Sequence, residues 1–376
     1  MKIGLFIQRF PGGGAENYVE QIATRLHKKG EDVTVITSEN KDFDDSKHDF
    51  KIIRLPSLLK IGEYFIWKGL EKILEQEQFD VVHTNTYGYY HSDKVARLKK
   101  KFRYKLVMTS HGFTGMDLHN LKKDKIISQR SPFDFLRELY DEKIGKKTLL
   151  LCDHLIALSQ YDFDFYKKIG VDESKISIIP PGINEIFFKN KQKKILDFKP
   201  ILLSVGELSW NKNQIIMIKA MPKILEKKPN AKLILIGPDA GEENNLRDLC
   251  IKLSITEHVL FLGKKSPEEI SNYMDSSDLL LQTSFAEGLS SVLLESMARG
   301  LPFMSTPAGG NNSLCDLTSG KLIPFNDYGK ISQEIFEILE NQEKYETIKD
   351  FCLNESQNFS WYKIFPKISQ LYEKLF

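Results

Sequence analysis

Short apolar runs alternate along the chain with stretches whose apolar residues recur at helical spacing. Residues 3–7 are one such run, ended by Gln8 and Arg9, and the pattern predicts a buried strand there. After Pro11-Gly12-Gly13-Gly14, the residues Val19, Ile22, Ala23 and Leu26 share one helical face; Gly30 ends the helix, and 33–37 reads as the next strand. Runs at 80–83, 106–110, 155–159 and 176–180 continue the theme, and Pro180-Pro181-Gly182-Ile183-Asn184 closes it. The alternation restarts at 201–205, followed by a helix over about 213–227, a strand at 232–236, a helix around 246–253 and a strand at 259–262. Ser266-Pro267-Glu268-Glu269 supplies an N-cap, a proline at N1 and a glutamate at N3, which predicts a capped helix start. Residues 328–376 are helical in pattern and lack strands. Alternating strands and helices throughout predict parallel sheets covered on both faces, built twice.

The stretch 278–310 carries the most chemistry. Leu279-Leu280-Leu281 predicts a strand, 301–305 predicts another, and between them Ser290 stands as N-cap of a helix stopped by Gly300 and Pro302. The start of that helix therefore opens at the carboxyl edge of a sheet, where its N–H groups and dipole favour a phosphate. Glu287 precedes the helix and Glu295 lies inside it, so the two carboxylates can reach different parts of one ligand. Carboxylates accept well from sugar and ribose hydroxyls. A positive helix end flanked by two such acceptors describes a nucleotide-sugar site.

Composition narrows the alternatives. With 41% apolar and 28% charged residues the chain is of globular type, and 376 residues suffice for two domains. A formal net charge of +2 gives no reason to invoke nucleic acid. Cys152, Cys250, Cys315 and Cys352 are far apart and fall in no C-x-x-C spacing, so they read as reduced core thiols of a cytoplasmic protein. The first apolar run is too short for a signal peptide or a membrane span. From Lys94 to Lys105 there are seven basic residues in twelve and no acid, either a solvated helix face or a surface for anionic lipid at the inner face of the membrane. Tyr87, Tyr89, Tyr90 and Phe113 follow strands of the first half and read either as packing or as sugar-stacking rings.

Glu287-x7-Glu295 with Gly288-Leu289 after the first glutamate, then Met297-Ala298-x-Gly300-x-Pro302 and Gly309-Gly310, resembles the family-4 retaining glycosyltransferases of GT-B fold. The resemblance covers the whole chain and implies two Rossmann-like, doubly wound parallel-sheet domains facing a central cleft, with a C-terminal helix crossing back to the first. The corresponding divisions are an acceptor-binding domain over 1–185, a connector over 186–199, a nucleotide-sugar domain over 200–355 and the terminal helix over 356–376. It implies transfer of a hexose from a nucleotide-sugar, by frequency a UDP-sugar, to a glycan or lipid-linked acceptor in envelope polysaccharide, glycolipid or glycoprotein-glycan assembly.

By the same resemblance Glu287 contacts sugar hydroxyls, Glu295 accepts from the ribose, and Gly288, Leu289 and Ser290 give backbone donors. Lys212 is the phosphate cation, the backbone at Lys264 meets the base, Gly13 and Gly14 face the phosphates, and His111 stands near the donor sugar. No metal or other cofactor is expected, since Lys212 and the helix N-terminus carry the charge and no Asp-x-Asp motif occurs. The chain also departs from the pattern. Asn85 replaces the second histidine of an H-x-H, Pro181 an asparagine, Ser313 a glutamate, and Glu207 the arginine of a G-R-L-x-x-x-K segment. A carboxylate at 207 would repel a diphosphate unless it turns away or Arg9 or Arg299 compensates; otherwise the protein binds donor without transferring it. A third reading, hydride transfer with a nicotinamide cofactor, rests on Gly12-x-Gly14 and Glu39, but Asn17 stands where the third glycine belongs.

Overall fold

The structure, a computed structural model, describes residues 1–39, 44–61, 64–127, 139–189, 200–315 and 320–376. The chain divides into two compact units. The first comprises, among the described residues, 1–116, 139–181 and 362–376; the second comprises 117–127 and 182–361.

The first unit holds a parallel seven-stranded sheet. In chain order its strands are β1 (Lys2–Phe6), β2 (Asp32–Ser38) and β3 (Lys51–Leu55), then, after a separate antiparallel hairpin of β4 (Ser57–Ile61) and β5 (Tyr64–Trp67), β6 (Val81–Asn85), β7 (Lys105–Thr109), β8 (His154–Ala157) and β9 (Ile176–Ile178). The spatial order is β3-β2-β1-β6-β7-β8-β9. Asn85 pairs with Thr109 at the carboxyl ends of β6 and β7, so the loop that carries His111 begins beside Asn85. The central strands of this sheet are largely buried because helices cover both faces, as in helix Gly14–Lys28, which buries Val19, Ile22, Ala23 and Leu26.

The second unit repeats the plan with β10 (Ile201–Val205), β11 (Lys232–Ile236), β12 (Val259–Phe261), β13 (Leu279–Gln282), β14 (Phe303–Ser305) and β15 (Gly320–Leu322), ordered β12-β11-β10-β13-β14-β15. Strand order reverses between β10 and β13, so the loops after these two strands open side by side at the carboxyl edge. The capped helix start is present as expected. Ser266 accepts from Glu269 N, and the Glu269 carboxylate accepts from Ser266 N.

The fold is thus two doubly wound parallel-sheet domains, and the last helix, Trp361–Lys374, returns to the first. Tyr372 Oη lies 2.6 Å from His83 Nδ1, and Glu373 pairs with Lys29. Boundaries differ in detail from the sequence reading. The chain enters the second unit at Gly182, and Ser356 to Trp361 stay with that unit. Residues 190–199 of the expected connector lie outside the described residues, while Glu185–Phe188 form a packed 3-10 turn with Phe187 buried. Residues 117–127 belong with the second unit because Leu121 and Ile127 are buried there with Phe285, Ala308 and Phe325.

Candidate functional site

In the second unit the loops after β10 and β13 are stitched together. Phe285 N donates to Asn211 O at 2.8 Å, Asn211 Nδ2 donates to Ala286 O at 3.0 Å, and Thr283 Oγ1 donates to the carbonyls of Lys212 and Asn213. This fixes Lys212 Nζ at 2.6 Å from Glu287 Oε1. Gln282 Nε2 donates to the same oxygen at 2.8 Å and to Ser284 Oγ at 3.1 Å. Burial alone would raise the Glu287 carboxyl, but the Lys212 charge and the hydrogen bonds from Lys212, Ser284 and Gln282 outweigh it and hold the group below its usual value. Glu287 is therefore an ionised carboxylate at neutral pH.

A third loop braces this one from behind. Gly309 has φ +50°, and a Cβ on it would fall 1.9 Å from Glu287 O, a space only glycine leaves open. Gly310 N donates to Gly288 O at 2.6 Å. Ser290 is the N-cap of helix Ser291–Ala298, but its hydroxyl makes no capping bond. Ser290 N instead donates to Asn311 Oδ1 at 3.0 Å, and Asn311 Nδ2 donates to Ser305 Oγ. The expected donor at Ser290 is thus already engaged.

Glu295 points from the second turn of this helix, and burial pushes its carboxyl up to about 8. No hydrogen bond or ion pair reaches the carboxylate among the described residues, in contrast to Glu287. Glu207 and Lys264 are both exposed, and neither joins the Lys212–Glu287 pair. Arg299 cannot stand in for the arginine missing at 207. Its guanidinium is buried against Asp275 in a bidentate pair, with Nη1 donating to the carbonyls of Phe187 and Lys189. Arg9 lies over the Phe65 ring in the first unit.

The first unit carries the remaining expected residues. Gly13 caps and Gly14 opens helix Gly14–Lys28, and Asn17 N donates to Gly13 O at 2.9 Å. His111 has φ +55°, and its Nε2 lies 3.2 Å from Asn85 Oδ1. The Tyr18 ring meets it edge-on at 4.9 Å. Burial draws the imidazole down to about 3. Tyr87 and Phe113 are buried in the core, which makes them packing elements. Part of the basic run is neutralised: Lys94 and Lys101 pair with Glu71, and Lys99 with Asp153.

Sequence reasoning did not assign Gln282 or Asn311 to this site. Their only signals were a polar residue closing an otherwise leucine strand and an asparagine directly after Gly309-Gly310.

Comparison with known proteins covers nearly the whole chain. Residues 12–186 match the family described as Glycosyltransferase Family 4, and residues 185–351 match Glycosyl transferases group 1. Alpha-monoglucosyldiacylglycerol synthase of Streptococcus pneumoniae is 27% identical over 352 residues, covering 88% of this chain and 76% of the relative. Sucrose-phosphate synthase of Thermosynechococcus elongatus superposes with a TM-score of 0.81 at 22% identity, covering 100% and 98% of the two chains. Anabaena Alr3699/HepE, solved in complex with UDP and glucose, superposes with a TM-score of 0.80 at 20% identity over all of both chains.

Proposed function

The chain belongs to the glycosyltransferases of group 1, family 4 type, and from that membership we propose that it moves a hexose from a UDP-sugar to a glycan or lipid-linked acceptor with retention of configuration. Membership sets the hydride-transfer reading aside. The observation that carries the proposal is the Lys212–Glu287 pair at the strand-order reversal of the second unit. An ammonium and an ionised carboxylate side by side divide the donor between them, Lys212 toward the diphosphate and Glu287 toward sugar hydroxyls. Glu295 is the ribose acceptor, Gly288 and Leu289 offer backbone N–H groups, and Lys264 lies toward the base. Gly13, Gly14 and His111 keep the donor-facing roles that the family resemblance gives them.

In the reaction the bond from the anomeric carbon to the β-phosphate oxygen breaks and a bond to the acceptor oxygen forms. The acceptor proton passes to the departing phosphate, whose charge Lys212 and the helix N-terminus offset. On this reading transfer needs no added metal and survives EDTA. UDP as donor base is supported by the Anabaena complex, and a lipid-linked acceptor by the name of the streptococcal relative. Among the described residues no helix is long and apolar enough to cross a membrane, so a lipid acceptor would be met at the membrane surface.

A thermal-shift panel of UDP, GDP, ADP, their hexose conjugates and NADH, run on wild type and Glu295→Ala, tests the reading. A ligand at 100 times its dissociation constant stabilises by about 2.7 kcal/mol. Stabilisation by UDP that the variant loses supports the site. Stabilisation by another nucleotide alone overturns the donor, and no stabilisation by any of them overturns the site.

A further inference from the structure

Asn85 ends β6, and its side chain is fully buried. Its Nδ2 faces two carbonyl oxygens, Phe6 O at 3.5 Å and His83 O at 3.4 Å. Turning the amide over would set Oδ1 against both of them, oxygen to oxygen, so those carbonyls fix its orientation. Oδ1 then faces His111 Nε2 at 3.2 Å. An amide oxygen can only accept, so Nε2 must carry a hydrogen.

We propose that Asn85 is a positioning residue that holds His111 in its neutral Nε2–H tautomer and so leaves Nδ1 as an acceptor for a substrate hydroxyl. The hydroxyl rests on the transferase reading, whereas the tautomer does not. The groups around His111 agree. Tyr18 meets it from helix Gly14–Lys28, and His83 stands nearby on β6, itself held by Thr109 Oγ1 at 2.9 Å and Tyr372 Oη at 2.6 Å. No carboxylate faces the ring among the described residues, and burial keeps it uncharged at neutral pH. Nδ1 makes no hydrogen bond among the described residues. A second histidine at position 85 could hold the ring in either tautomer, because imidazole donates or accepts; asparagine in this orientation can hold only one.

The test is direct. Long-range nitrogen–proton correlation spectra of the histidine-labelled, unliganded protein, with His111 assigned by the loss of its signals in His111→Gln, report the tautomer without any enzymatic assay. The expected result is a neutral Nε2–H pattern at pH 7 that persists to pH 5. In Asn85→Leu that pattern should give way to Nδ1–H or a mixture of tautomers. In Asn85→Asp a carboxylate beside the ring should raise its pKa and bring imidazolium signals toward neutral pH. Because Asn85 is buried, melting curves of both variants establish that they fold, and either folded variant suffices. An Nδ1–H or imidazolium pattern in wild type, or the wild-type pattern unchanged in a folded variant, overturns the assignment. If the tautomer is as proposed but neither substitution changes kcat, Asn85 sets the ring without serving the reaction, and the positioning role falls.

Discussion

Lys212 Nζ and Glu287 Oε1 stand 2.6 Å apart although 75 residues separate them, because the strands that precede them are neighbours at the point where strand order reverses. They form an ion pair, so removing either one leaves a partly buried charge without its counter-charge.

Lys212→Ala and Glu287→Ala should each lower kcat by about 100-fold or more, the scale of losing one aligned electrostatic group. Each should also cost about 1–3 kcal/mol, less than for a fully buried pair because solvent still reaches both side chains. A double-mutant cycle on steady-state rates and urea midpoints measures both effects. Rates within twofold of wild type would remove the pair from the mechanism.

Glu295 gives a pH dependence of definite sign. Its folded pKa, about 8, lies above the unfolded value of 4.5, so the folded protein holds this proton more tightly. Its contribution to stability is complete below the unfolded value and is lost as pH rises toward and through 8. Glu295→Gln is neutral at every pH, so the wild-type melting temperature should fall relative to this variant between pH 5 and 9. Parallel curves would mean the carboxyl is not held protonated.

Gly309→Ala tests the brace behind the site. A Cβ placed 1.9 Å from Glu287 O must push that loop away, and the positive φ adds strain. UDP affinity should fall by about tenfold or more, while the apolar strands keep the unit folded. Titration calorimetry with UDP, alongside a circular dichroism spectrum, separates the two.

Arg299→Met should behave in the opposite way. It takes the guanidinium from Asp275 and from the carbonyls of Phe187 and Lys189, so stability should drop by about 3–5 kcal/mol. Chemical denaturation reads the loss. UDP affinity, measured at a temperature where the variant is folded, should stay within threefold of wild type.

Glu207 is exposed and free to be exchanged. Glu207→Arg should tighten UDP by about threefold or more at low salt, with the gain shrinking as ionic strength rises. No gain at low salt would show that position 207 does not face the diphosphate.

Much of this architecture was legible in the pattern of apolar residues. β10 and β11 fall at 201–205 and 232–236 as the pattern predicts, and β12, β13 and the capped helix at Pro267 fall within a residue or two. Those elements announce themselves because a strand buried on both faces must be apolar along its length. β3 and the β4–β5 hairpin were not anticipated, since mixed stretches such as Lys51–Leu55 are only partly buried and carry a weaker signal. In the site, Glu287 stood out by its place before the helix, whereas Lys212 was implied by the family resemblance alone. Asn311 and Gln282 act through individual side-chain hydrogen bonds to neighbouring loop residues, and no periodicity encodes that. Arg299 looked available as a cation until its partner Asp275, on a preceding helix, came into view.

The bond between Tyr372 and His83 spans 289 residues. At a synthesis rate of about 5–20 residues per second, the later partner emerges roughly 15–60 s after the earlier one. Throughout that interval the nascent first sheet lacks the helix that covers His83, and its apolar surface is open to solvent and to other chains. The second unit, nearly continuous in sequence, can close on itself while the first still waits. Newly made protein is therefore most exposed to aggregation through its earliest-made half, and truncation within the last fifteen residues would injure the beginning of the chain rather than its end.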